Sequence, residues 1–228
     1  RMSSERRSRT PPAGPEYSLR HLNTDNPAEV KDLARLYIAV FPAGLMASLG
    51  PGFLEHYCFA VLPREDEMQV GVCHVGDELV GFIVYSDKSQ TGFVGSALRR
   101  QPLLVFGVLV PGVLTRPSAA VRVPGLLLRS AYSSPEDYDP ATSGSILALF
   151  VSPQCRSHEF IAQTGLRVGR SLFLFAAEDL KARGCRSLQL DVERSNTEAM
   201  LFYHSLGGRF EPFSRSGDDM CRVRFPSL

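Results

Sequence analysis

The sequence has almost no net charge: 25 Lys and Arg stand against 24 Asp and Glu, leaving +1 over 228 residues. That balance creates no global field toward nucleic acid. No run of about twenty apolar residues occurs, so no helix is expected to span a membrane. Cysteine is scarce and odd in number, at Cys58, Cys73, Cys155, Cys185 and Cys221, with no Cys-x-x-Cys. A disulfide scaffold is thereby excluded, and reduced thiols in a cytoplasmic protein are expected. Cys155 beside His158 reads as incidental rather than as a thiol nucleophile. The five histidines lack metal-ligand spacing, so no metal site is expected. What is present is ordinary for a globular protein: 44% hydrophobic and 21% charged residues, with length enough for one good-sized domain.

Residues 1–15 are rich in Arg, Ser and Pro and read as a flexible basic tail, with Arg1 a remnant or read-in residue ahead of Met2. Residues 16–228 read as a single domain. Glu16–Leu22 is expected as a strand. Asn26-Pro27 opens a helix carrying Val30, Leu33, Leu36, Tyr37 and Val40 at helical spacing, ending at Phe41-Pro42. A second helix is expected from about Phe53 to Leu62. A hairpin of Met68–Val75 and Glu78–Ser86 then turns at Gly76-Asp77.

The segment 94–134 carries Arg99, Arg100, Arg116, Arg122 and Arg129 and not one Asp or Glu. Its apolar runs are broken by Pro111 and Pro124, which suits short helices. Three roles compete: a cap over a binding pocket, a membrane-surface contact, or a homodimer face. The cap is preferred, because the segment interrupts the chain just before the strand at Ser145. Its arginines would then select an acceptor bearing negative charge.

The most telling stretch is Ser145–Gly207. A strand, Ser145-Ile-Leu-Ala-Leu-Phe-Val-Ser-Pro, leads through a polar loop to Thr164-Gly-Leu-Arg-Val-Gly-Arg-Ser-Leu. The helix that follows stops at Gly184. An alternating strand, Arg186–Val192, comes next, and then Asn196-Thr-Glu-Ala-Met-Leu-Phe-Tyr-His-Ser-Leu-Gly. No acid lies between Gln163 and Ala177, while Arg167 and Arg170 do. Free N–H groups and the positive dipole end of a helix attract phosphate, and glycine lets a ligand approach. Gly165 and Gly169 equally fit an ordinary helix start.

These motifs resemble the core of the GNAT superfamily of N-acetyltransferases. Val151-Ser152-Pro153 matches that family's strand end, and Asn196, Ala199, Tyr203 and Gly207 match its last motif. The likeness covers about residues 143–210. Thr164 stands where the family has Arg or Gln, Arg167 replaces the central glycine, and the loop after Pro153 is longer than usual.

The resemblance implies an α/β fold with a central, mostly antiparallel mixed sheet flanked by helices, and a helical insertion at about 94–134. It implies acetyl-CoA as cosubstrate. The arm of acetyl-CoA would pair with backbone at Leu149, Phe150 and Val151. Its pyrophosphate would rest on Thr164, Gly165, Leu166, Arg167, Val168, Gly169 and Arg170. Asn196 would hydrogen-bond the arm, and Tyr203 would bind and protonate the departing thiolate.

The implied partner is an amine acceptor, with Phe41, Pro42, Leu45 and Tyr57 as candidates for its wall. Each of these four also fits simple core packing. Asp191, Glu193, His158 and Glu159 are acid–base residues near the site, and none is singled out as the base. Two functions remain: transfer of acetyl to a primary amine, and acyl-CoA binding without turnover. Thr164 and Arg167 favour the second, Asn196 and Tyr203 the first. Nucleic-acid binding is disfavoured, since interleaved aromatics are missing.

Overall fold

The computed structural model describes residues 17–42, 44–88, 143–212 and 219–228. The basic tail and the segment 94–134 lie outside the described residues. Seven strands form one sheet in the order β1-β2-β3-β4-β5-β7-β6. They are β1 (Tyr17–His21), β2 (Gln69–Val75), β3 (Glu78–Ser86), β4 (Ser143–Val151), β5 (Ser187–Glu193), β6 (Arg209–Pro212) and β7 (Met220–Phe225). Every neighbouring pair is antiparallel except β4 and β5, which run parallel. The expected mixed, mostly antiparallel sheet is what forms.

One face is covered by α1 (Pro27–Val40), α2 (Leu45–Ser48) and α3 (Pro51–Phe53), the last running into a π turn over Leu54–Cys58. Helix α1 starts at Asn26, whose side chain accepts from the N–H groups of Ala28 and Glu29, with Pro27 in the first turn. Its apolar stripe of Val30, Leu33, Ala34 and Tyr37 is buried against Phe59, Val70, Phe82 and Val84. The expected helix Phe53–Leu62 is therefore shorter and π-wound. The N–H of Phe59 reaches back five residues to the carbonyl of Leu54.

The other face carries α4 (Pro153–Arg156), α5 (His158–Thr164), α6 (Val168–Ala182) and α7 (Thr197–Ser205). Helix α6 lies on glycines of three adjacent strands. A Cβ at Gly71 would come within 2.9 Å of Phe175, at Gly81 within 3.0 Å of Leu172, and at Gly144 within 2.6 Å of Leu180. The missing side chains let the helix sit close to the sheet. Leu172, Phe173, Ala176 and Leu180 complete this second core with Ile83, Leu188 and Val223. Two cores on opposite faces bury β3 and most of β4 from both sides, which explains their near-continuous apolar sequence.

The far end of α6 is tied down by charge. Arg183 Nε donates to Asp179 at 2.9 Å, and Arg183 also bonds Asp66. Tyr85 donates its phenolic proton to the same Asp179 at 2.9 Å. Among the described residues, no helix is long and apolar enough to cross a membrane.

Candidate active-site cleft

Strands β4 and β5 pair only at Ser143–Ser187, Gly144–Leu188 and Ser145–Gln189. Beyond Ser145 they part. The register of β4 on β3 shows the cause: Val84 faces Ala148 while Tyr85 faces Ile146, so Leu147 is an extra residue in β4. Such a bulge bends its strand and strengthens the local twist. The edge of β4 that faces β5 is then left without a strand partner from Ile146 onward. Backbone N–H and C=O groups on an unpaired edge remain available to an extended ligand.

The gap is a cleft of about 510 Å3. Its floor is Ile146–Leu149 of β4, one wall is Leu190–Glu193 of β5, and Asn196, Ala199 and Tyr203 close it from the α7 side. Val40, Phe41, Pro42 and Gly44, at the end of α1, form the opposite wall. The sequence thus identified Leu149, Asn196, Tyr203, Phe41 and Pro42 as residues that the fold brings together. Tyr57 stays apart: it is 2% exposed inside the α1-side core. Phe150 packs against that same core, in ring contact with Phe82 at 5.8 Å, and Val151 is buried beneath α6.

Tyr203 is 7% exposed and packs on Phe173 and Phe202. Burial pushes its phenol well above the usual tyrosine range, so the hydroxyl stays protonated. Asn196 caps α7, with Oδ1 accepting from the Ala199 N–H at 3.0 Å. One face of its amide is therefore committed to the helix, and the NH2 group remains to serve as donor.

The phosphate cradle is narrower than the sequence suggests. A helix was expected from Thr164 to Gly184, but α6 starts only at Val168, with Arg167 as its N-cap. Ahead of it, α5 ends at Gly165, whose φ of 72° is left-handed and stops the helix. The Gly165 N–H bonds the Ile161 carbonyl at 2.8 Å, and the Leu166 N–H bonds Thr164 Oγ1 at 3.1 Å. Thr164 Oγ1 itself donates to the Phe160 carbonyl at 2.7 Å. The amides left without a helical partner are those of Val168, Gly169 and Arg170. Arg167 and Arg170 flank them, both exposed. A Cβ at Gly169 would lie 3.4 Å from Phe202 and 3.5 Å from Val151, so this glycine faces the seam between β4 and α7.

Of the acid–base candidates, Asp191 and Glu193 line the cleft, whereas His158 and Glu159 lie on exposed α5, where Glu159 bonds Gln163. Strand alternation could have selected the first two. Leu188, Leu190 and Val192 are buried on the α6 face, which turns Asp191 and Glu193 to the other side. Cys155 is 4% exposed and its thiol is raised by burial, which leaves no reactive thiolate.

The same architecture occurs in solved structures. SsHAT aligns with a TM-score of 0.56 at 18% identity, over 92% of this chain and 98% of that one. A protein assigned to the GNAT acetyltransferase family from Desulfovibrio desulfuricans aligns at 0.50 and 14%, over 92% and 99%.

The chain has the GNAT acetyltransferase fold.

The PaiA N-acetyltransferase of Thermoplasma acidophilum, solved with coenzyme A, shares this GNAT fold at a TM-score of 0.50 and 13% identity, over 91% of this chain and 98% of that one. No family model and no curated protein matches the sequence.

Proposed function

We propose that the chain is an N-acetyltransferase that moves an acetyl group from acetyl-CoA directly to a primary amine of a small-molecule or peptide acceptor. The observation that carries this reading is the parting of β4 and β5 beyond Ser145 and Gln189, with Asn196 and Tyr203 on the wall of the gap. The residues present suit the cosubstrate. An open strand edge at Leu149–Val151 can pair with the amides of its arm. Three unpartnered amides, at Val168, Gly169 and Arg170, meet its pyrophosphate where the helix dipole is positive. Arg167 and Arg170 add charge-assisted bonds.

The chemistry needs no covalent enzyme intermediate. The amine nitrogen attacks the acetyl carbonyl carbon, a C–N bond forms, and the C–S bond breaks. The sulfur leaves with the electron pair and takes the Tyr203 proton, while the amine loses a proton to solvent, which later restores the phenol. A phenol raised by burial is a weak acid in water's terms. A thiolate leaving into the same dry cleft is raised by the same desolvation, so the transfer is not made harder by burial. Thr164 and Leu166 support the cradle from behind by closing α5. All five cysteines are unpaired, which supports a reducing, cytoplasmic setting.

A second reading, acyl-CoA binding without turnover, is favoured by one feature: Thr164 has its hydroxyl committed to α5 and Arg167 sits at the N-cap of α6. Release of free thiol from acetyl-CoA, followed with and without a panel of primary amines, separates the two. Amine-dependent thiol release supports transfer. Saturable acetyl-CoA binding without amine-dependent release supports the binder.

A further inference from the structure

If the cleft binds acetyl-CoA as proposed, its remaining end must receive the acceptor, and the charge there is one-sided. Asp191 and Glu193 are the charged side chains that the described residues contribute to its lining. Asp191 is matched already: Arg222 Nε donates to its Oδ1 at 3.1 Å. Glu193 is the exposed last residue of β5 and has no ion pair among the described residues.

Across the cleft stand Val40 and Phe41, where α1 ends. The last turn of α1 holds no basic residue, so the negative end of its dipole is not offset by its own side chains. Between these two negative features the walls are apolar, from Phe41 and Pro42 on one side to Leu147, Leu149 and Met220 on the other. The sign is opposite to that of the arginines in 94–134, from which an anionic acceptor was expected.

A monoamine must shed its charge to attack, and would leave Glu193 without a partner. A diamine loses one charge and keeps the other. We infer that the acceptor is an aliphatic diamine whose methylene chain lies along the apolar walls and whose second, unreacting ammonium group is held by Glu193. Glu193 is thus a specificity residue rather than the base.

The test is steady-state transfer to a diaminoalkane, to the monoamine of equal chain length, and to the ω-amino acid of equal length. The diamine is expected to show the lowest KM and the amino acid the highest. Glu193→Gln should raise the diamine KM about tenfold or more with kcat unchanged, and leave the monoamine KM where it was. Glu193 is exposed, and a melting curve like the parent's confirms that the variant folds. A fall in kcat with KM unchanged makes Glu193 the base and overturns the inference, as does equal loss for monoamine and diamine. Preference for the amino acid restores the anionic acceptor. Thiol release with none of the three, alongside intact acetyl-CoA binding, sinks both the transferase reading and this inference. Release with amines that are not discriminated sinks this inference alone.

Discussion

Ser145 of β4 and Gln189 of β5 are the last paired residues of the two parallel strands, and the cleft begins where their pairing ends. The extra residue Leu147 lies two positions beyond Ser145. A sheet that would otherwise be closed is opened there by one residue of register, and the groups proposed for catalysis gather around the opening.

Tyr203→Phe should keep acetyl-CoA affinity and slow transfer by about tenfold or more, because only the donated proton is removed. Calorimetry gives the affinity and thiol release the rate. Unchanged kcat would make Tyr203 a packing residue between Phe173 and Phe202.

Asn196 has two duties that substitution separates. Asn196→Ala removes the α7 cap and should lower unfolding free energy by about 1 kcal/mol. Asn196→Asp keeps a capping oxygen and should restore most of that stability, yet it lacks the amide donor and should still bind acetyl-CoA poorly. Urea melts and calorimetry on the pair check both statements. Equal affinity in Asn196→Asp and the parent would confine Asn196 to capping.

Gly81→Ala tests the seat of α6. Its Cβ would lie 2.8 Å from the Phe150 carbonyl oxygen, a backbone atom, and 3.0 Å from Leu172. A loss of about 1–3 kcal/mol is expected, read as a lower urea midpoint with unchanged slope. A neutral substitution would show that α6 does not need this close approach.

Alkaline conditions should destabilise the fold. Burial raises the thiols of Cys58 and Cys73, Cys73 to about 11, and the phenols of Tyr37, Tyr85 and Tyr203. Above the unfolded values of about 8.5 for a thiol and about 10 for a phenol, the folded chain holds more protons than the unfolded one. Stability from these groups is full below about pH 8.5 and falls as pH rises, by up to about 1.4 kcal/mol per pH unit for each group. Urea midpoints should therefore drop between about pH 8 and pH 10. A flat or rising midpoint would contradict the burial described.

Much of this frame is legible in the sequence because local signals agree with the fold. Asn26-Pro27 is a cap and a first-turn proline, Gly76-Asp77 makes a two-residue hairpin loop with Gly76 at φ 59°, and Leu188, Leu190 and Val192 alternate as a half-buried strand should. What escaped rests on backbone conformation or distant contacts. Gly165 fits a helix opening as well as a helix stop until its φ is known. The π turn at Leu54–Cys58 shares its apolar pattern with an ordinary helix. The bulge at Leu147 exists only relative to β3, and the nearness of α1's end to Glu193 follows from where β4 and β5 separate. The sequence reading also stopped short of the last two strands, β6 and β7. There Cys221, Val223 and Phe225 alternate inward while Arg222 turns out to meet Asp191.

The most direct test of the central claim is calorimetric titration of acetyl-CoA into the full chain and into the Arg167→Glu, Arg170→Glu double variant. Both arginines are exposed beside the unpartnered amides of α6, so the variant should fold as the parent does. The account predicts saturable one-site binding to the parent, lost or weakened by at least about tenfold in the variant. Binding of equal strength in both, or none to the parent, would contradict it.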